Sequence, residues 1–461
     1  MHWSCLSREP APGWQLGAGA EAEAASRRPK RRRILAEMPV QIRSASGAVI
    51  FVNRFFHPDH SATSQILTDL AFHLAAGEFN VRVVASRQRY DDPHACLPEA
   101  ESVGGVAIHR ISTTRFGRSG LVGRSLDYLS FYSLVWRSVL DCAQPGDVLV
   151  AKTDPPLLCV AAMQAAKRRK LHLINWLQDV YPEIAVKLGV PLVRGPAGQG
   201  LFQLRDSALR AAAVNVVVGE GMAEIIRKRG IPSERIRVIP NWCDDEEIHP
   251  VAPLDNPLRR EWGLCDRFVV GYSGNLGRGH EFDTILSAAE RLRGDRLLCF
   301  LFIGGGTRFA ELARRARERE LDHLFRFLPY QQRAVLKLSL GVPDVHLISL
   351  RPELEGLIVP SKLYGIAAAG RPIIAIAAPD GEIAGIVRRH DCGIVIKPGD
   401  GELFADALSR LRADPGRLAE MGRHARAMLD AHFRRRLAFE RWRDLIEEVL
   451  HKSRQTQGSA L

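Results

Sequence analysis

No uninterrupted apolar run in this chain approaches the roughly 18–20 residues that cross a bilayer, and the N-terminus holds no apolar core of a secretory signal. A cytoplasmic protein is expected, at most resting against the inner face of the plasma membrane. Cysteine is sparse: the eight are scattered, with no CxxC pair and no clustered Cys/His spacing. Neither a structural zinc site nor a disulfide framework is expected, and no metal ligands are assigned. A GxGxxG loop behind a strand is also missing, which counts against a dinucleotide-dependent oxidoreductase.

The rest of the composition is ordinary. Hydrophobic residues make up 46% and charged residues 25%, which excludes a chain that is disordered or coiled-coil throughout. At 461 residues the chain exceeds the roughly 100–200 of one domain, so two domains are expected. The formal net charge is +12. Residues 1–45 carry eight Lys/Arg against four Asp/Glu, including the run Arg27, Arg28, Lys30, Arg31, Arg32, Arg33, and read as a disordered basic extension. Met38, just before the first strand, is an alternative start for translation. The basic body calls for a partner carrying negative charge: nucleic acid, an anionic membrane surface or a phosphorylated substrate.

From residue 46 hydrophobic periodicity switches repeatedly between strand and helix. Apolar runs at Ala48–Asn53, Val81–Ala85, Val106–Ile111, Val148–Ala151, Leu171–Trp176, Val214–Val218 and Ile236–Ile239 alternate with helical stretches such as Leu157–Lys170 and Met222–Arg229. The alternation resumes after an irregular Pro-containing stretch with strands near Phe268–Tyr272, Leu298–Ile303, Phe325–Phe327, Val345–Leu347, Ile373–Ala377 and Gly393–Ile396. Parallel βαβ units follow, because a crossover of that length returns the chain through a helix. The expected fold class is α/β, with two Rossmann-like, doubly wound domains facing a cleft. The first spans 46–245, a linker 246–262 and the second 263–430; residues 431–451 form a helix packing back across the domains, and 452–461 a polar tail.

Ligands of such sheets bind beyond the carboxyl ends of the strands, so the loops there carry the functional reading. Phe55–Ser64 leads from the first strand into a helix, where Ser64 either caps the helix or joins an anion site. Gly271–His280 combines glycines, which let a diphosphate approach the backbone, with Arg278, which can give it two parallel charge-assisted hydrogen bonds. Gly304-Gly305-Gly306 is a weaker version of the same signal. In Glu355–Tyr364 an acid, a helix start and a lysine sit together. Glu355 is a ligand for sugar hydroxyls or a solvated loop acid, Ser361 a helix cap, and Lys362 a cation added to the helix N-terminus.

Taken in order, VIFVNRFFHPDHSATSQ, NWLQDVYPE, VIPNWCDD, VGYSGNLGRGHEFDTI, LFIGGG and EGLIVPSKLYGIAAAGRPIIA resemble family 4 retaining glycosyltransferases of the GT-B fold. The likeness is strongest to the bacterial branch that builds capsule, colanic-acid-type and O-antigen repeat units, and it covers about residues 46–450. It implies a nucleotide-sugar donor, a co-substrate rather than a cofactor, held mainly by the second domain. It implies a glycan or polyprenyl-diphosphate-linked acceptor held mainly by the first, and no metal. By position, Glu355 would hold the sugar hydroxyls, with Gly356 and Leu357 backbone groups nearby, and Arg326-Phe327-Leu328-Pro329 would border the nucleobase. Gly274, Asn275, Gly277, His280, Gly304 and Ser361 complete the donor set.

The chain also departs from the family. The usual arginine and lysine of the diphosphate loop fall at Asn275 and His280, so Arg278 and Lys362 are the substitutes. The ribose-binding glutamate falls at Gly365, and the first-domain histidine at Gln178, beside Asp179. Asp179 supports the reacting sugar or caps the segment before Tyr181. Arg115, Arg118 and Arg124, followed by Tyr128, Phe131, Tyr132 and Trp136, combine basic and aromatic character suited to a membrane interface, with core packing as the alternative. A nucleotide-sugar 2-epimerase of similar fold and a basic nucleic-acid-binding protein are the other classes, although no nucleic-acid module is present and none is expected as partner.

Overall fold

The computed structural model describes residues 47–116, 120–193 and 195–458; the expectations placed on residues 1–46 and on Arg118 lie outside them. The first sheet has eight strands: β1 (Val49–Val52), β2 (Val81–Ser86), β3 (Ala100–Val103), β4 (Val106–Ile111), β5 (Val148–Lys152), β6 (His172–Leu177), β7 (Val214–Val217) and β8 (Ile236–Val238). Their order is β3-β4-β2-β1-β5-β6-β7-β8, parallel except for the β3–β4 hairpin. β3 was not legible: Ala-Glu-Ser-Val has little strand propensity and is half-exposed, and it pairs because Gly104 (φ 57°) and Gly105 (φ 79°) turn the chain back.

The second sheet has six parallel strands, β9 (Phe268–Asn275), β10 (Leu298–Gly305), β11 (Phe325–Leu328), β12 (Val345–Ser349), β13 (Ile373–Ile376) and β14 (Gly393–Ile396), in the order β11-β10-β9-β12-β13-β14. β9 and β10 run further than their apolar stretches. Gly274 pairs with Gly304 and Asn275 with Gly305, so part of the expected glycine loop is strand. At Gly304 (φ 135°) a Cβ would stand 2.3 Å from the Gly274 carbonyl oxygen, and only glycine permits that approach.

The expected linker is partly second domain. Pro257–Glu261 is a short helix whose Leu258 N–H donates to the Asn256 side chain, and Leu258 and Trp262 bury against Val269, Cys299 and Val342. Further on, Pro415–His432 packs on the second sheet and Arg435–Gly458 returns to the first, so the helix continues through part of the expected polar tail. Trp442 of that last helix is fully buried 4.5 Å from the Trp176 ring of β6, which is 6.1 Å from Trp242. Three tryptophans distant in sequence thus bind the C-terminal helix to the first domain. At the cleft, Val180, Met222 and Ile226 of the first domain share one apolar cluster with Leu357, Leu363 and Ile383 of the second.

Candidate active site

In the second domain, the extended ends of β9 and β10 form a glycine-walled rim. Leu276 N–H donates to the Gly305 carbonyl at 2.7 Å, and a Cβ on Gly306 (φ 121°) would meet the Asn275 side-chain oxygen at 2.4 Å. Lys362, the first residue of the Lys362–Ala368 helix, faces this rim. Its Nζ makes a long 3.5 Å hydrogen bond to the Asn275 carbonyl and lies 4.9 Å from the Tyr272 ring centroid, and its Cε would touch any Cβ added at Gly274. Burial pulls its pKa down to about 8. The ammonium is therefore charged near neutral pH and has donors to spare.

Other expected donor residues are engaged elsewhere. The His280 ring turns inward, with Nδ1 2.7 Å from the Ser349 carbonyl and the ring edge-on to Tyr272. Burial holds its pKa at about 4, so it is neutral and braces the loop instead of supplying the lysine-like cation of the family. Arg278 does not fork onto the glycine rim: its guanidinium donates across the cleft to the Leu188 carbonyl at 2.5 Å. Ser361 makes no side-chain cap, and Ser64 is not a cap either. The first-domain helix begins at Ala62, while buried Ser64 donates to the Asp59 carbonyl and Asp59 accepts from Ser61 N–H. Gly277 is half-buried beside the Asn275 side chain. Phe327 stacks on Phe302 and meets Phe309, and Arg326 donates to the Trp262 carbonyl, so of β11 mainly the Leu328 end remains near the rim. The exposed Tyr330 ring, absent from the motif reading, stands over Gly305.

Glu355 lies where the two domains touch. Its Oε1 accepts from Glu382 N–H at 2.7 Å, while Oε2 is buried without a hydrogen-bond partner. Gly356 (φ 73°) packs on Gly221 and Ile225, the Leu357 carbonyl accepts from Val180 N–H at 3.0 Å, and Ile358 bridges Asp179. The structure therefore brings Asp179, Glu355, Gly356 and Leu357 to one seam, with Lys362 one turn of chain further on.

A family model described as "Glycosyl transferase 4-like domain" matches residues 62–242, and one described as "Glycosyl transferases group 1" matches residues 267–414. The chain belongs to the family 4 glycosyltransferases. WbjE of Pseudomonas aeruginosa, named as a glycosyltransferase, is 26% identical over 345 residues, 74% of this chain and 84% of that protein. WcaI of Escherichia coli (strain K12), a glycosyl transferase named for colanic acid biosynthesis, is 30% identical over 223 residues, 47% of this chain and 54% of its own. Among solved structures, HepE of Anabaena in complex with UDP-glucose superposes with a TM-score of 0.63 at 15% identity, covering 90% of this chain and 100% of that one. The GT-B fold follows, and sugar transfer displaces both the epimerase and the nucleic-acid readings.

In the first domain of this glycosyltransferase, two ionisable groups stand out. Burial and Asp154 raise the Asp179 pKa to about 6, opposed by Lys152. Lys152, one residue past the expected Val148–Ala151 strand and singled out by no motif, is buried, and burial lowers its pKa to about 7. It donates to the Thr63 carbonyl at 2.8 Å and sits 4.0 Å from the Trp176 ring centroid. Both line one cavity with Asn175, Tyr181 and Arg205. Arg205 holds the segment after Asp179 through a fork onto Glu183 (2.6 and 3.0 Å) and the Tyr181 carbonyl (2.7 Å). Gln178 accepts from Asn241 at 2.7 Å, leaving its amide nitrogen buried and unpaired.

The expected aromatic membrane stripe is rearranged. Phe131 is core, and Tyr132 turns in to donate to the Pro156 carbonyl. Of that stripe the Leu121–Cys142 helix keeps Trp136 (37%) exposed, on a face with Val122 (75%), Leu126 and Leu129 (59%), the four spaced four, three and seven apart. Among the described residues no helix is long and apolar enough to cross a membrane.

Proposed function

We propose that this enzyme moves a hexosyl or related sugar, with retention, from a nucleoside-diphosphate sugar to a cell-surface glycan or its polyprenyl-diphosphate-linked precursor. The observation that carries the reading is Lys362 facing the glycine rim of β9 and β10 within the same cleft as the unpaired Glu355 oxygen. A diphosphate would lie along the rim, where backbone approach is open and a cation is spare. A sugar hydroxyl would satisfy Glu355 Oε2, which otherwise carries the desolvation cost of an unmade hydrogen bond.

The acceptor hydroxyl attacks the anomeric carbon on the face from which the diphosphate departs. The new C–O bond forms as the glycosyl–phosphate bond breaks, the electron pair leaves on the diphosphate, and a diphosphate oxygen takes the hydroxyl proton. Lys362 stabilises the charge developing on the leaving oxygen. Asp179 supports the reacting sugar from the first domain. In this reading the donor is a co-substrate, and neither metal nor cofactor takes part.

The UDP-glucose bound by HepE makes UDP-sugars the first donors to try, and WcaI's name makes surface polysaccharide the first acceptor class. The exposed apolar face of the Leu121–Cys142 helix, with Arg115, Arg124 and Arg137 near it in sequence, supports peripheral contact with an anionic membrane. The deciding experiment is a thermal-shift panel of UDP, GDP, ADP, dTDP, CMP and their common sugars. A ligand at 100 times its Kd adds about 2.7 kcal/mol of apparent stability, so the true donor raises Tm clearly. No shift with any of them overturns the donor site.

A further inference from the structure

Between the domains, two glutamates sit in series on two helix starts. Glu382 is the first residue of the Glu382–Arg389 helix, beyond the end of β13 in the second domain. Its N–H holds Glu355 Oε1 at 2.7 Å, while its own carboxylate reaches into the first domain. There Oε1 accepts from Glu220 N–H at 3.0 Å and Oε2 from Gly221 N–H at 3.1 Å, the opening amides of the Glu220–Lys228 helix. Those amides have no partner within their own helix, and a carboxylate satisfies both at once.

The chain is cleared for this arrangement. A Cβ on Gly219 would lie 2.4 Å from Glu382 Oε2, one on Gly381 2.4 Å from Glu355 Oε2, and one on Gly221 3.1 Å from the Gly356 Cα. Side chains at these places would push the domains apart or expel a carboxylate. Val180 N–H on the Leu357 carbonyl closes the seam on the other side.

We propose that Glu382 is a positioning residue that couples the orientation of Glu355 to closure of the two domains. With Oε1 fixed by the Glu382 amide, Glu355 has Oε2 alone to offer a donor hydroxyl. The same residue keeps the first-domain helix in place only while the cleft is closed. Opening breaks the Glu220 and Gly221 bonds and frees the start of the helix that orients Glu355, so donor grip and closure rise and fall together. The inference rests on reading Glu355 as the donor-sugar ligand.

The test uses the full chain with Glu382→Gln, which keeps size but not two acceptor oxygens, and Glu382→Asp, which keeps charge but not reach. Losing a charge-assisted contact corresponds to a change on the order of 10–100-fold. Hydrogen–deuterium exchange of the amides at 219–222 should accelerate by about that factor in both variants, with donor KM raised and kcat lowered well below Tm. A residue that only supports the fold would lower Tm and speed exchange at 219–222 but leave the donor KM–kcat pair, read well below Tm, as in the parent, and that outcome overturns the coupling. Unchanged exchange there overturns the role of Glu382. Glu355→Gln separates the levels, because an unaltered donor KM in that variant removes Glu355 as sugar ligand whatever Glu382 does.

Discussion

Replacing Lys362 with methionine keeps most of the apolar stem against Tyr272 and removes the ammonium that faces the glycine rim. In the free enzyme that ammonium makes one long 3.5 Å bond, so little of the fold depends on its charge. Its pKa is lowered on folding, to about 8, which means the folded state binds the proton less tightly than the unfolded chain does. The substitution therefore removes a folding cost, and Tm should hold or rise. Catalysis should not hold. A charged donor aimed at developing negative charge contributes about 2.7–4 kcal/mol, so kcat should fall on the order of 100–1,000-fold at saturating donor and acceptor.

The pH dependence has a definite sign. Lys362 is charged below about pH 8 and neutral above, so donor kcat/KM should decline on the alkaline side through about 8. A bound diphosphate favours the charged form, so the corresponding limb in kcat lies higher. Lys362→Met should abolish the limb, and Lys362→Arg should move it beyond the working range. Steady-state kinetics from pH 6 to about 10, with Tm followed in parallel, reads all of this. Parent-like kcat in Lys362→Met, or an alkaline limb that survives it, refutes the role.

Three further outcomes are expected. Asp179 ionises with a pKa of about 6, so activity that needs its carboxylate should fall as pH drops through 6; Asp179→Asn flattens that acid limb, and Lys152→Met, which removes the opposing cation, shifts it upward in a pH–rate profile. Gly304→Ala would force a Cβ to 2.3 Å from the Gly274 carbonyl at φ 135°, so nucleotide-dependent thermal shifts should vanish while far-UV circular dichroism stays near the parent. Trp442→Ala empties a fully buried site packed against the Trp176 ring, which should cost about 3–5 kcal/mol and lower the first-domain transition in calorimetry, whereas an unchanged scan would mean the C-terminal helix does not support that domain.

Much of the fold was legible because it is written locally. β1, β5, β9 and β10 are apolar runs bounded by turn residues, and the helices between them show one apolar face, so two doubly wound halves follow from periodicity. The order of the cleft motifs was equally legible, and it is the order of the family to which the chain belongs. Side-chain direction was not. Arg278 and His280 occupy the expected loop, yet one reaches the Leu188 carbonyl and the other the Ser349 carbonyl, and no spacing rule contains those partners. On the Leu121–Cys142 helix the aromatic residues looked like the outward face, but Phe131 is core and Val122, Leu126 and Leu129 face solvent. A helix turns its face toward whatever neighbour buries it, and that neighbour is set elsewhere in the chain.

By itself, then, the sequence determined the α/β class, the two-domain division and the chemistry of the loops, all of which depend on residues close along the chain. Only the tertiary structure decided which of those residues share a site. Glu382 and Gly221 stand 161 positions apart and meet at 3.1 Å; Lys152 and Thr63 stand 89 apart and meet at 2.8 Å. The first contact exists because the two domains meet at their loops, the second because β1 and β5 are neighbours in one parallel sheet and their ends lie side by side; neither pairing leaves a periodic trace in the segments it joins.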